Sequence, residues 1–248
     1  MINQIQTYGI RSDLHGRLKL ARAHEKQVHS GEYGKIIDLG DLEVPYIDEK
    51  HPLRKGQKNG ERTMDAIVRN VQNSNLAESI IPNALNSIKK MQEFTASMAQ
   101  RIPYAGIKGN SWETWTKIVS ASCPRELDKL KEYLEIYNPL NEAKAQFPTK
   151  RHGLLYLPWT ASPRKIKEAI SILEDKDLAR ITVLSHDKAD EQILERLSKL
   201  DAKVDNYFGH IGLRYGQFIK TIEFGNKKVN YHHVDEKGGR LVPLVLKD

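Results

Sequence analysis

GIRSDLHG, residues 9–16, is the stretch from which the fold reads outward. A short apolar run closes on a carboxylate and an imidazole two positions apart, Asp13 and His15, where a strand would leave a sheet. The same arrangement recurs along the chain. KIIDLGD (Lys35–Asp41) ends on Gly-Asp, and IPYAGIKGN (Ile102–Asn110) on Gly-Asn. RITVLSHD (Arg180–Asp187) carries His186, and VDNYFGH (Val204–His210) ends on His210. Taken singly, each tip has an ordinary explanation: Gly-Asp and Gly-Asn are turn signals, and a histidine after a strand is commonly solvated or hydrogen-bonded. Five such tips, each after a β-type run, point to a shared site, because sites in open α/β sheets assemble at strand carboxyl ends. Carboxylate, imidazole and amide oxygen together suit divalent cations such as Mn, Fe, Zn or Co. Cys123 is the only cysteine and lies elsewhere, so no thiolate competes.

Between these strands the spacing is helical. Leu18 to Val28 is expected to be a helix. Asn83 is a candidate cap for another, with Leu85, Ile88, Met91, Phe94 and Met98 on one face. Further helices are expected from Trp112 and from Pro124, the latter with Leu127, Leu130, Leu134 and Tyr137 in register. HGLLYLP (His152–Pro158) reads as a strand. SPRKIKEAISILED follows, with Ser162 as cap and Pro163 in the first turn. Ile193, Leu194, Leu197 and Leu200 form the stripe of a later helix. Strands alternating with helices imply an α/β layered fold. One domain over residues 1–248 is expected. Residues 44–101 would be a helical insertion or cap, and 213–248 C-terminal β strands turning at Gly225-Asn226 and Gly238-Gly239.

Composition narrows the class. Apolar residues make up 39 % of the chain, enough for a core, while 29 % are charged. No run approaches the roughly 20 apolar residues of a membrane helix, and no secretory leader pattern opens the sequence. A single cysteine leaves no internal disulfide, and a reducing cytoplasmic setting is expected. The net charge of +7 favours phosphate-bearing partners, nucleotides and nucleic acid included. No aromatic-interleaved basic motif of a nucleic-acid module accompanies it.

The ordered tips resemble the calcineurin-like metallophosphoesterases, whose motifs run D-x-H, G-D, G-N-H-[DE], a lone His and G-H-x-H. This chain has Asp13-Leu14-His15, Gly40-Asp41, Gly109-Asn110-Ser111-Trp112-Glu113, His186 and Gly209-His210-Ile211-Gly212. The resemblance spans most of the chain. It implies a four-layer α/β/β/α sandwich of two mixed β-sheets flanked by helices, acting on a phosphate-ester substrate through two divalent metal ions. By the same resemblance, Asp13 and His15 would bind the first ion, Asp41 would bridge both, and Asn110, His186 and His210 would complete the second. Asp41, Asn110 and His186 would then also be the catalytic core. Such ions activate a bridging hydroxide and neutralise charge growing on the phosphoryl group.

Two departures shape the expectation. Ser111 replaces the histidine that follows Gly-Asn in much of the family; a serine hydroxyl donates a hydrogen bond but is a poor general acid. Asp187 and Glu113 are the alternative acids. Phosphodiesters are therefore favoured over monoesters. Gly212 replaces the last histidine of G-H-x-H, a ligand of the first ion, and the gap is left to water or to a residue from the tail, His232 and His233 being the candidates there. Arg17 and Ser111 are candidates to meet substrate phosphate. A basic loop with Arg54, Lys55, Lys58 and Arg62 would admit a nucleotide or nucleic acid. Trp112, Trp115 and Trp159 are expected in the core or cleft wall, and His24, His29 and His51 in solvent. The rival classes are the same fold without catalysis, serving as a binding or scaffold module, and a nuclease or nucleic-acid binder.

Overall fold

Strand alternation sorts the apolar residues onto two faces, and the chain stacks those faces. The computed structural model describes residues 6–41, 55–56, 63–72, 76–209, 218–234 and 240–246. Outside that set lie His51, His210, Gly212, Arg54, Lys58, Arg62 and the Gly238-Gly239 turn. In the first sheet, β1 (Gln6–Arg11), β2 (Lys35–Asp38) and β3 (Tyr104–Gly106) run parallel. β10 (Val242–Leu246) closes its edge antiparallel to β1. The second sheet contains β4 (Lys144–Gln146), β5 (His152–Leu157), β6 (Arg180–Ser185), β7 (Lys203–Phe208), β8 (Phe218–Phe224) and β9 (Lys227–His233). Its order is β4-β5-β6-β7-β9-β8, with parallel strands at the centre and an antiparallel strand at each edge.

Tyr8, Ile10, Ile37 and Leu39 of the first sheet bury against Leu154, Tyr156, Leu184 and Tyr207 of the second. On the outer face of the second sheet, α6 (Pro163–Glu174) and α7 (Glu191–Ser198) cover Leu155, Ile181, Val183 and Phe208 with Ile170, Leu173, Leu194 and Leu197. On the outer face of the first, α1 (Leu18–His29) and α3 (Leu76–Arg101) bring Ala21, Met91 and Met98 against Leu14, Tyr33 and Ile36. The result is a sandwich of two mixed sheets flanked by helices. A separate apolar cluster around Trp115 joins α2 (Thr63–Gln72) and α3 to α4 (Ser111–Ser122) and α5 (Leu127–Glu135) through Ile67, Leu85, Ile88, Ile118 and Leu134. Among the described residues no helix is long and apolar enough to cross a membrane.

Two expectations are corrected, at Asn83 and at His24. Asn83 is no cap: α3 begins at Leu76 and runs through Pro82. Proline removes one backbone hydrogen bond from a helix interior, but burial of Ile81, Leu85 and Ile88 on the same helix outweighs that loss. The tail divides. β8 and β9 join the second sheet through a turn at Gly225-Asn226, while β10 crosses to the first. β4, with only three residues, escapes the sequence reading. Ser162 caps α6 as expected, its Oγ accepting from Lys165 N at 3.4 Å.

The outer face of the first sheet also holds charge. Arg11 and Asp38 are neighbours in the parallel register, each 2 % exposed, and Arg11 Nε donates to Asp38 Oδ2 at 2.7 Å. Asp38 Oδ1 accepts from Gly40 N at 2.9 Å, which ties the pair to the turn beyond β2. His24 is not solvated as its polar sequence context suggests. It is 2 % exposed, and neither ring nitrogen has a hydrogen-bond partner among the described residues. Burial, reinforced by the nearby Arg11 guanidinium, pushes its pKa from 6.5 down to about 3. His152 follows the same rule: burial first, then Arg180, lowers it to about 4.

Both groups make stability depend on acid. Their pKa values are lower in the folded chain than in the unfolded one, so the unfolded chain takes up protons first as pH falls below 6.5. Stability is then fully present above that pH and declines toward pH 4. Urea midpoints followed by circular dichroism between pH 7 and pH 4 will fall with acidification, and His24→Leu will make that slope shallower. An unchanged slope in the variant refutes the assignment to His24.

Candidate metal centre

Asp13 and His15 follow β1, Asp41 follows β2, Asn110 lies beyond β3 at the cap position immediately before α4, and His186 follows β6. All stand at the carboxyl ends of parallel strands, from both sheets. The loops that carry the first three are laced together: Asp13 N donates to Gly40 O at 3.0 Å and His15 N to Asp41 O at 2.9 Å. Asp13, His15 and Asp41 hold φ of 54°, 45° and 54°. That left-handed backbone costs a non-glycine residue about 1 kcal/mol or more. It persists here because the crossed hydrogen bonds fix both loops.

The glycines in the motifs have a steric purpose. A Cβ on Gly109 would overlap the Asp41 carboxylate, and one on Gly209 would overlap Ser12 Oγ and Asp13 Oδ2. A Cβ on Gly40, itself at φ +106°, would stand 2.7 Å from His186 Nδ1. Glycine is what lets three loops meet at this distance.

Asp41 is the centre of the group. It is 2 % exposed. Ser111 holds both of its oxygens: the backbone N donates to Oδ1 at 3.0 Å and Oγ to Oδ2 at 2.6 Å. His186 Nε2 lies 3.5 Å from Asp41 Oδ2 and 3.3 Å from Asn110 Oδ1. On the other side of that ring, Nδ1 lies 2.8 Å from the Leu39 carbonyl. A carbonyl only accepts, so Nδ1 carries the proton. With Nδ1 so engaged, Nε2 faces two oxygens, an arrangement that its own proton or a cation can bridge. A proton serves in its absence: burial works against charge on His186, but Asp41, and behind it Asp13 and the Leu39 carbonyl, raise its pKa to about 9. Burial alone would raise Asp41 too; His186, His15 and Ser111 instead hold it below the usual carboxylate range.

The donor set also fits a metal ion. Ligand atoms of Asp13, Asp41 and His186 lie within 4.8 Å of one another. Oxygen and imidazole nitrogen suit a borderline divalent cation. The outer partners are in place as well: Ser12 Oγ donates to Asp13 Oδ2 at 2.5 Å, Ser111 to Asp41, and His186 to Leu39. Such bonds orient metal ligands and select the histidine tautomer.

The remaining candidates fall out differently. His15 stands beside the group, its Nε2 3.7 Å from Asp13 Oδ1. His210 and Gly212 lie outside the described residues. Ser111 is turned onto Asp41. Arg17 is exposed at the start of α1. Asp187 accepts from Lys188 N at 2.7 Å, and Glu113 is exposed on the first turn of α4. His232 is committed to Asp205, 3.2 Å away, and stacks on Tyr207 with ring centroids 4.3 Å apart. His233 is buried beside Phe208 on the opposite strand face. Sequence reasoning missed Ser12, the Leu39 carbonyl and Lys108. Lys108 Nζ lies 4.6 Å from the centroid of the Trp112 ring.

No protein-family model matches the chain, and no curated protein does. The solved structures that share a distant likeness include two that span nearly the whole chain. One crystal structure has a TM-score of 0.44 at 9 % identity, covering 91 % of this chain and 90 % of that one. TT1561 of Thermus thermophilus has a TM-score of 0.38 at 12 % identity, covering 98 % and 100 %. Neither likeness bears on what the site does.

Ser111→Ala keeps the backbone donor to Asp41 and removes the hydroxyl. Loss of an outer partner of this kind lowers metal affinity about tenfold or more. Titration calorimetry with Mn²⁺ will show that drop with the circular dichroism spectrum unchanged; equal affinities would refute a positioning role for Ser111.

Proposed function

We propose that the protein is a metal-dependent hydrolase of phosphate esters, of the calcineurin-like metallophosphoesterase class. The observation that carries this reading is the set of acceptors from both sheets, Asp13, Asp41, Asn110 Oδ1 and His186 Nε2, gathered at strand carboxyl ends around Asp41. The motif order of the sequence supports it. Asp13, His15, Asp41, Asn110, His186 and His210 would hold two divalent ions, with Mn, Fe, Zn and Co all compatible. When bound, such ions supply a hydroxide near neutral pH and neutralise charge on the phosphoryl oxygens.

The chain's own residues perform the rest. Ser111 keeps Asp41 ionised and aimed. The Leu39 carbonyl holds the proton of His186 on Nδ1 and leaves Nε2 for the cation. The amino end of α4 begins at the site, and a helix amino terminus favours an anion. Because Ser111 Oγ is spent on Asp41, no acid stands in the motif position that would protonate the leaving group. The reading is therefore a phosphodiesterase acting on esters with good leaving groups, nucleotide esters among them, in preference to a monoesterase.

Gly212 favours one second reading, a binding module that keeps the fold and has lost turnover. Assays with bis-p-nitrophenyl phosphate and p-nitrophenyl phosphate in Mn²⁺ separate the two. The enzyme will hydrolyse the diester faster, lose activity in chelator and regain it with metal. Asp41→Asn will lower turnover about a hundredfold or more. No turnover with any of the four metals, together with less than one bound ion per chain, would sink the hydrolase.

A further inference from the structure

Trp159 stands on the rim of the metal centre with 45 % of its surface exposed. It follows β5, the neighbour of the strand whose tip carries His186. Its backbone N donates to Lys108 O at 3.0 Å, which ties it to the loop leading into Asn110. The indole and the His186 imidazole meet at right angles, with an interplanar angle of 87° and centroids 6.2 Å apart. A single exposed aromatic is unremarkable on a protein surface. This one is fixed at both backbone and ring against residues that surround the cation site. An indole is also the side chain best suited to stack on a planar ring. Lys108, whose ammonium lies over the Trp112 ring, adds positive charge in the same loop.

We propose that Trp159 is a stacking platform for the base of a nucleotide-type substrate, whose phosphate sits at the metal centre. The assignment rests on the reading of that centre as a phosphate site and narrows its substrates to esters that carry a planar ring. Trp159 then determines specificity without touching the reacting atoms. Esters of simple alcohols bind by phosphate alone, and nucleotides gain the ring contact as well.

Binding separates this from the hydrolase reading. The probes are the methyl esters of the non-hydrolysable methylene phosphonate analogues of AMP and of ribose 5-phosphate, which mimic diesters, titrated in Mn²⁺ against the wild-type chain, Trp159→Ala and Trp159→Phe. The substitutions leave the backbone bond to Lys108 intact, and circular dichroism checks the fold. The adenosine analogue is expected to bind about tenfold tighter than the ribose analogue, the size of a base–aromatic stack. Trp159→Ala is expected to erase that advantage and Trp159→Phe to keep most of it. Equal affinities in the wild-type chain, an advantage that survives Trp159→Ala, or binding of neither probe overturns the platform. If the advantage depends on Trp159 while no metal gives turnover, hydrolysis fails and the platform stands. If turnover is robust and the advantage is missing, the platform alone fails.

Discussion

Through its carboxylate and its backbone, Asp41 joins three loops at once, and the arrangement of the site depends on its being there. It takes two hydrogen bonds from Ser111, faces His186 at 3.5 Å, and sits in a loop whose backbone oxygens accept from the Asp13 and His15 amides. A buried carboxylate needs donors or a cation to remain charged. Ser111 supplies the first, and His186 stands where either form of the second can be shared. The two sheets are thus joined by chemistry at their tips as well as by apolar contact between their faces.

Around this centre the backbone departs from its preferred states. Three non-glycine residues adopt left-handed conformations, and glycines at 40, 109 and 209 admit contacts that any Cβ would block. Local cost of this kind survives only where neighbouring structure dictates the geometry. The buried Arg11–Asp38 pair contributes to that support, since Asp38 also binds the amide of Gly40 immediately before Asp41. Breaking a buried ion pair leaves an uncompensated charge, so the turn under Asp41 is braced by a pair that is costly to disrupt.

Much of this was legible in the sequence. Alternating and helical periodicities are local, so β1, β2, β5, β6, β7, α1, α6 and α7 could be placed from neighbouring residues alone. So could the polar tips at Asp13, His15, Asp41, Asn110 and His186, because each follows its own apolar run. Ser162 was visible as a cap for the same reason. Asn83 misled as a cap, since the helix runs through it and through Pro82, held by the burial of Ile81, Leu85 and Ile88.

What the sequence by itself determined is the kind of residue at each strand end and the order in which those ends occur. Only the tertiary structure decided which of them meet. Ser111 and Asp41 are separated by 70 positions and His186 and Leu39 by 147, and no periodicity reports contacts of that range. The same holds for β10, which leaves the tail to pair with β1, and for His24, whose polar neighbours in sequence hide its place beneath the sheet. It holds for Trp159, an ordinary tryptophan until β5 and β6 lie side by side. Local pattern follows from backbone geometry, whereas a site follows from the stacking of two sheets, which brings lone pairs together that the chain keeps far apart.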